Sequence, residues 1–250
     1  PEPRPLDRRD RPPRPLPRRP PGLEPHLAAE AAEAGFAAPE PVPGGVALPG
    51  GLAEARRACL TLRGAQRVLI RLAEFRALHP AQLDKRARRV DWAAWLRPDT
   101  PVRVEATSRR SRIWHAGAAA SRVGRALSEA TGAPLAPSAE GGPLRLQVRL
   151  DDDLCTISLD LGGGPLHRRG TKADVGKAPL RETTAALLLR AAGRRPGAPL
   201  LDPMCGAGTF ALEAAAADAG RLPGEGRAFA FERLAGFDPA AWAAERAALT

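Results

Sequence analysis

Apolar and polar positions alternate most cleanly between Leu144 and Leu161. Leu144, Leu146, Val148 and Leu150 alternate with Arg145, Gln147 and Arg149; beyond Asp151-Asp152-Asp153, Cys155, Ile157, Leu159 and Leu161 alternate with Thr156, Ser158 and Asp160. A two-residue period on both sides of a short polar break predicts a β-hairpin with one buried face. That face accounts for Cys155, and the opposite one carries two arginines outward. The three aspartates lack the further ligand pattern a metal would need and read as a solvated turn. Arg67 to Phe75 sets Val68, Ile70 and Leu72 against Arg67, Leu69 and Arg71, the period of a strand with one buried face, and Val102 to Thr107 reads as another strand.

Elsewhere the period is helical. Gly22 to Phe36 places Leu23, Leu27, Ala31 and Ala34 on one face and stops at Gly35, a natural C-cap. Leu52 to Leu62 aligns Ala55, Cys59 and Leu62, which makes Cys59 a core residue. Pro80 to Val90 is a basic helix opened by proline, with Trp92 and Trp95 after it as core anchors, and Trp114 to Ala130 places His115, Arg122 and Arg125 near one face. Val42 to Leu48 is a brief strand broken at Gly44-Gly45. Strands and helices mixed in this way, ahead of a separate strand-loop-helix unit, predict a small α+β domain followed by an α/β domain, joined near Gly162-Gly163-Gly164. After the join, a basic glycine-containing loop leads to Pro179 and a helix with Leu180, Thr184, Leu187 and Leu188 on its apolar face.

The chemistry concentrates in PLLDPMCGAGTFALEA, residues 199–214. Leu200 and Leu201 end an apolar run that predicts a buried strand, Asp202 follows at its carboxyl end, Gly206 and Gly208 predict a tight turn, and Thr209 opens an apolar helix. Glycines let a backbone approach a ligand closely, and a helix N-terminus offers free N–H groups at the crevice beyond the strand ends. The segment is neither G-x-G-x-x-G nor G-x-x-x-x-G-K-[ST]; no lysine follows the glycines, which disfavours a phosphate cradle.

Composition narrows the picture. The 250 residues could bury two cores. The formal charge is +10, and 35 of the 38 basic residues are arginine, a bias that also reflects GC-rich coding, so the basicity fits a nucleic-acid partner and a solvated basic surface alike. Cys59, Cys155 and Cys205 are far apart and form neither a CxxC pair nor a disulfide framework, which points to a reducing compartment and away from zinc. No apolar run is long enough to span a membrane and the start has no signal-peptide core, so a cytoplasmic protein is expected. Residues 1–21 hold nine prolines and seven arginines with almost nothing to bury, and read as a disordered tail.

The run DPMCGAGT resembles D-P-x-C-G-[AS]-G-T, the S-adenosylmethionine loop of class I methyltransferases in its THUMP-domain RNA methyltransferase form. Four further segments resemble the same family in the same order: GLEPHLAAEAAEAG its first ferredoxin-like helix, SRIWHAGAAASRVGRAL a THUMP helix, and LCTISLDLGGGPLHRRG with APLRETTAALLL its link and pre-loop helix. The similarity runs from about Gly22 to the C-terminus and is strongest to the RlmL-like branch, bacterial 23S rRNA guanine-N2 methyltransferases. It implies an N-terminal ferredoxin-like part (22–66), a THUMP RNA-binding domain (67–165) and the first part of a Rossmann-like methyltransferase domain (166–250). It further implies S-adenosylmethionine as cofactor, structured RNA (23S rRNA) as partner, and no metal or membrane. By position, Asp202, Cys205, Gly206, Gly208 and Thr209 would line the cofactor loop, with Ala178, Pro179 and Leu180 beside it. Arg109, Arg112, Arg122, Arg168 and Arg169 are the RNA-contact candidates by charge and context.

The resemblance stops short of the catalytic machinery. In the family a ribose-holding acidic residue and an N-P-P-Y loop follow; that loop accepts hydrogen bonds from the target amine and stacks on its base. This chain has no [DN]-P-P-[YFW] and no tyrosine. The expectation is the front part of such an enzyme, inactive alone and without a catalytic residue of its own. Two other readings stay open: a non-catalytic THUMP RNA-binding module, and a DNA amino-methyltransferase, which shares the loop but gives no reason for the N-terminal α+β domain.

Overall fold

A computed structural model describes residues 15–18, 22–170 and 180–249. They divide into two compact units, each made of segments far apart in sequence: residues 14–69 with 164–228, and residues 70–163 with 229–249.

The first unit opens with β1 (Pro15–Arg18), α1 (Glu24–Glu33), β2 (Glu40–Val42), β3 (Gly45–Ala47) and α2 (Leu52–Thr61). β3 pairs antiparallel with both β2 and β1. Two expectations change here. Residues 15–18, within the stretch expected to be a disordered tail, form β1, which lies inside the strand order next to β3. The brief strand at 42–48 is a hairpin, with Gly44 in the left-handed region at φ 80° and the chain returning on itself. α1 buries Leu27, Ala28 and Ala31 and ends as its sequence predicts. Gly35 sits at φ 75°, its N–H donates to the Ala32 carbonyl and that of Phe36 to Ala31, the paired bonds of a Schellman cap. In α2, Ala55, Cys59 and the following Leu62 are buried together. The Glu54 carboxylate accepts the Gly51 N–H at 2.8 Å, which holds its carboxyl below the usual range.

β4 (Arg67–Arg76) passes from the first unit to the second. Val68, Leu69 and Ile70 are buried in succession, so the strand begins covered on both faces rather than on one. The second unit continues with α3 (Pro80–Ala87), β5 (Val102–Arg109), α4 (Ala116–Thr131), β6 (Leu144–Asp151) and β7 (Leu154–Asp160), in the strand order β4-β7-β6-β5. β5 and β6 are parallel, from Val102 opposite Leu144 to Arg109 opposite Asp151, with α4 as the crossover. β6 and β7 form the expected hairpin, and Leu144, Leu146, Val148, Leu150, Cys155, Ile157 and Leu159 are fully buried. Its polar stripe departs from expectation, because Ser158 and Asp160 are also buried. Asp160 is tolerated there because Gly162 N–H donates to it at 3.1 Å and Arg145 lies 3.6 Å away. Trp92 is a core anchor with its indole N–H on the Ala87 carbonyl at 2.9 Å, whereas Trp95 is half-buried.

α5 (Glu182–Ala191) and α6 (Thr209–Asp218) return to the first unit; a 3₁₀ turn (Ala230–Arg233) and α7 (Pro239–Ala247) join the second. The expected partition kept 166–250 together. By contact, residues 229–249 pack within the second unit, where Phe229, Phe231 and Trp242 form a buried aromatic cluster with Trp242 edge-on to Phe231 at 4.9 Å. Main-chain bonds from Phe231 to Leu161 and from Ala235 to Trp95 fasten it.

The first unit is tightest at Gly64. A Cβ there would come within 2.3 Å of Leu187 Cδ2 and 2.8 Å of Glu30 Oε2, and Leu187 is fully buried and cannot swing aside. Gly64→Ala should therefore cost about 1–3 kcal/mol in urea unfolding.

Candidate functional site

The loop at 202–209 is formed by main-chain geometry rather than by packing. Asp202 Oδ1 accepts the Met204 N–H at 3.1 Å, an Asx turn, and the Gly208 N–H closes the loop on the Cys205 carbonyl at 2.8 Å. Gly206 and Gly208 lie at φ 53° and 70°, where side-chain-bearing residues are strained. A Cβ on either would meet nothing within 4 Å, so the space in front of the turn is open. Gly208 is the N-cap of α6 without a capping side chain, which leaves the first N–H groups of the helix uncapped by protein side chains. The Thr209 hydroxyl donates to the Leu180 carbonyl at 3.4 Å, which brings these two expected neighbours together. Ala178 and Pro179 lie outside the described residues.

The strand expected to lead into this loop is not formed. Leu200 and Leu201 belong to no strand, and Leu201 and Met204 are 89% and 90% exposed. A strand of a parallel sheet needs hydrogen-bonded neighbours and cover on both faces. Among the described residues nothing flanks this segment in that way, so its apolar side chains remain in solvent.

α6 is oriented by charge. Its buried residues are Thr209, Glu213 and Ala214, while Leu212 is exposed. Glu213 is 3% exposed and pairs with Arg169, itself 5% exposed, and with Arg63 at 3.3 Å. Arg169 also donates to the Arg63 carbonyl, and Arg63 to the carbonyl of Arg221. Burial pushes the Arg169 guanidinium below its ordinary pKa and Glu213 opposes that shift. Close by in sequence to Arg63, the Gly64 N–H donates at 2.9 Å to Glu30, whose pKa burial raises despite its two backbone hydrogen bonds. At the other end of α6, Asp218 accepts Arg194 and the Gly197 N–H, which hold its carboxyl down to about 2 and fasten the link that leads to the loop.

The arginine candidates separate. Arg109 and Arg112 are exposed at the β5–α4 loop and Arg122 is half-buried on α4, all in the second unit; Arg168 is exposed in the first. Arg169 is turned inward, and an RNA phosphate could reach it only by displacing Glu213, so its assignment as an RNA contact is corrected to a structural one. The triple aspartate is likewise more than a solvated turn. Asp152 and Asp153 occupy the left-handed region at φ 52° and 60°, as a two-residue hairpin turn requires. Asp153 accepts the Arg112 N–H at 2.8 Å and Asp151 pairs with Arg110 at 3.1 Å. Trp114, expected as the first residue of the helix Trp114 to Ala130, instead lies ahead of α4 and is exposed, and the helical spacing carried no signal of that.

The second unit is a mixed α/β unit with a βαβ crossover, and in the first a glycine turn opens α6. Family models match three domains in chain order: the RlmL ferredoxin-like domain over residues 19–69, the THUMP domain over 80–160, and the RMKL-like methyltransferase domain over 169–248. The chain belongs to this RlmL-like family. It is 37% identical over 232 residues to a ribosomal RNA large subunit methyltransferase K/L of Methylococcus capsulatus, covering 89% of this chain and 31% of that protein. It thus spans about a third of the length of that curated relative. Among solved structures, a predicted N6-adenine-specific DNA methylase of Listeria monocytogenes superposes with a TM-score of 0.84 at 28% identity, covering 94% of this chain and 63% of the other. The methyltransferase SMU.472, complexed with SAH, gives 0.83 at 26% over the same shares.

Two outcomes follow from this geometry. Glu213→Ala strands a buried arginine and should cost about 3–5 kcal/mol in urea unfolding, whereas Glu213→Met combined with Arg169→Met should cost much less than that. In the native protein iodoacetamide should modify the exposed Cys205 and spare the buried Cys59 and Cys155, the last with its thiol pushed up to about 12 by burial; mass spectrometry after denaturation should show all three modified.

Proposed function

We propose that this chain contributes the RNA grip and the cofactor loop of an S-adenosylmethionine-dependent ribosomal RNA methyltransferase acting on a guanine N2 of 23S rRNA in the cytoplasm. The observation that carries the reading is the open D-P-M-C-G-A-G-T turn at the uncapped start of α6, downstream of ferredoxin-like and THUMP domains. The residues fit the cofactor: Gly206 and Gly208 leave space for its methionine part, the first N–H groups of α6 suit its carboxylate, and Asp202, Cys205, Thr209 and Leu180 frame the turn. When bound, S-adenosylmethionine supplies an electrophilic methyl group. The SAH bound by SMU.472 supports this choice.

Arg109, Arg112 and Arg122 on the THUMP unit, and Arg168 on the other, are assigned to the RNA backbone, where guanidinium groups release condensed counterions. With no [DN]-P-P-[YFW] and no tyrosine in the chain, none of its residues is assigned to catalysis. The chain by itself is expected to transfer no methyl group.

The exposed Leu201 and unformed strand favour a second reading, in which the chain as it stands binds RNA but not cofactor. Calorimetry separates the two. Titration with S-adenosylhomocysteine should give heat that Asp202→Ala reduces at least tenfold in affinity; absence of heat from the unmodified chain would leave the RNA-binding module. Competition between ribosomal RNA and DNA of equal length should favour RNA, and preference for DNA would sink the ribosomal assignment.

A further inference from the structure

We propose that Trp114 is a stacking platform for an unpaired RNA base, an inference that rests on the RNA reading of the THUMP unit and adds to it a specific recognition element. Trp114 is 77% exposed, while Trp92 and Trp242 are buried and Trp95 is half-buried. Its neighbours fix the main chain on which it is carried. Ser108 Oγ donates to the Ile113 carbonyl at 2.6 Å, and Ser111 Oγ donates to the Arg109 carbonyl at 2.9 Å while accepting the Asp153 N–H at 3.0 Å. Arg112 N–H is held by the Asp153 carboxylate at 2.8 Å. Ile113 is buried immediately before the indole, and Arg110 is held in the left-handed region at φ 47°. On the far side His115 Nδ1 accepts the Ala118 N–H at 3.0 Å, which starts α4 directly after Trp114, and the two rings meet edge to face at 5.5 Å. An indole on a loop fastened before and after it loses little conformational freedom when a ring settles on it.

The surroundings select the partner. The other exposed residues between Arg109 and His115 are Arg109, Arg110, Arg112 and His115, none of them the aliphatic side chains a protein partner would cover. Gly117 and Ala118 in the first turn of α4 are small and exposed, leaving room for a planar group. An aromatic face flanked by guanidinium groups suits an unpaired nucleotide, its base on the ring and its phosphate on the cations. A blunt duplex keeps its bases stacked within itself and cannot use the indole.

The test uses the full chain with a fluorescently labelled RNA hairpin carrying a single-stranded extension, and with a blunt RNA duplex of equal length. Trp114→Ala should weaken binding to the extended hairpin about fivefold or more, Trp114→Phe should restore most of it, and binding to the duplex should be unchanged in both. Intrinsic fluorescence of the unmodified chain should be quenched by the extended RNA, and the quenching should be largely lost in Trp114→Phe. The slope of affinity against salt should be unaltered by Trp114→Ala but should fall by about one in Arg109→Ala. If the unmodified chain binds RNA and Trp114→Ala binds the extended hairpin equally well, the stacking role is overturned while the RNA reading stands. If the unmodified chain binds neither RNA, the RNA reading fails and this inference with it.

Discussion

The side of the first unit that carries the glycine turn depends on one buried carboxylate. Glu213 lies on the inner face of α6, and two guanidiniums, from Arg63 in the ferredoxin-like segment and Arg169 just after the domain link, neutralise it. Isolated charges do not survive such burial; a carboxylate shared by two arginines does, and the arrangement fixes orientation more than it adds net stability. Thr209 begins the helix that this carboxylate anchors, so the attitude of the glycine turn is set by an ionic contact about a turn further along. Three segments distant in sequence meet at one residue, which explains how the first unit can be assembled from both ends of the chain.

The same contact explains an inversion of the usual amphipathic rule. α6 turns its charged residue inward and leaves Leu212 exposed, beside a stretch in which Leu201 and Met204 are almost wholly in solvent. The apolar residues are those that a parallel sheet would cover, and the chain offers no described strand to do so. The helix is therefore held by Glu213, Thr209 and Ala214, while the loop ahead of it keeps its form through an Asx turn and two left-handed glycines. Local geometry survives where tertiary cover is missing.

Periodic segments were legible in the sequence because their burial matches their period. The β6–β7 hairpin, α1 with its Gly35 cap, and the core positions of Cys59, Cys155 and Trp92 all follow from spacing alone. The family was legible in the letters DPMCGAGT and in the segment order. What could not be read depended on contacts across long sequence separations. Arg169 resembles any surface arginine until Glu213, 44 residues later, is placed against it. The packing of residues 229–249 within the second unit shows only once Phe229, Phe231 and Trp242 are placed together. The strand before Asp202 was over-read, since an apolar run shows what could be buried and not whether anything lies beside it.

The left-handed pair at Asp152 and Asp153 ties two neighbouring surface features into one inheritance. Asparagine and glycine would adopt those dihedral angles with less strain, yet would surrender the carboxylate that carries the loop after β5. Relaxing the hairpin would therefore unmoor the arginine-bearing loop next to it, and sequence drift at either place would have to be answered at the other.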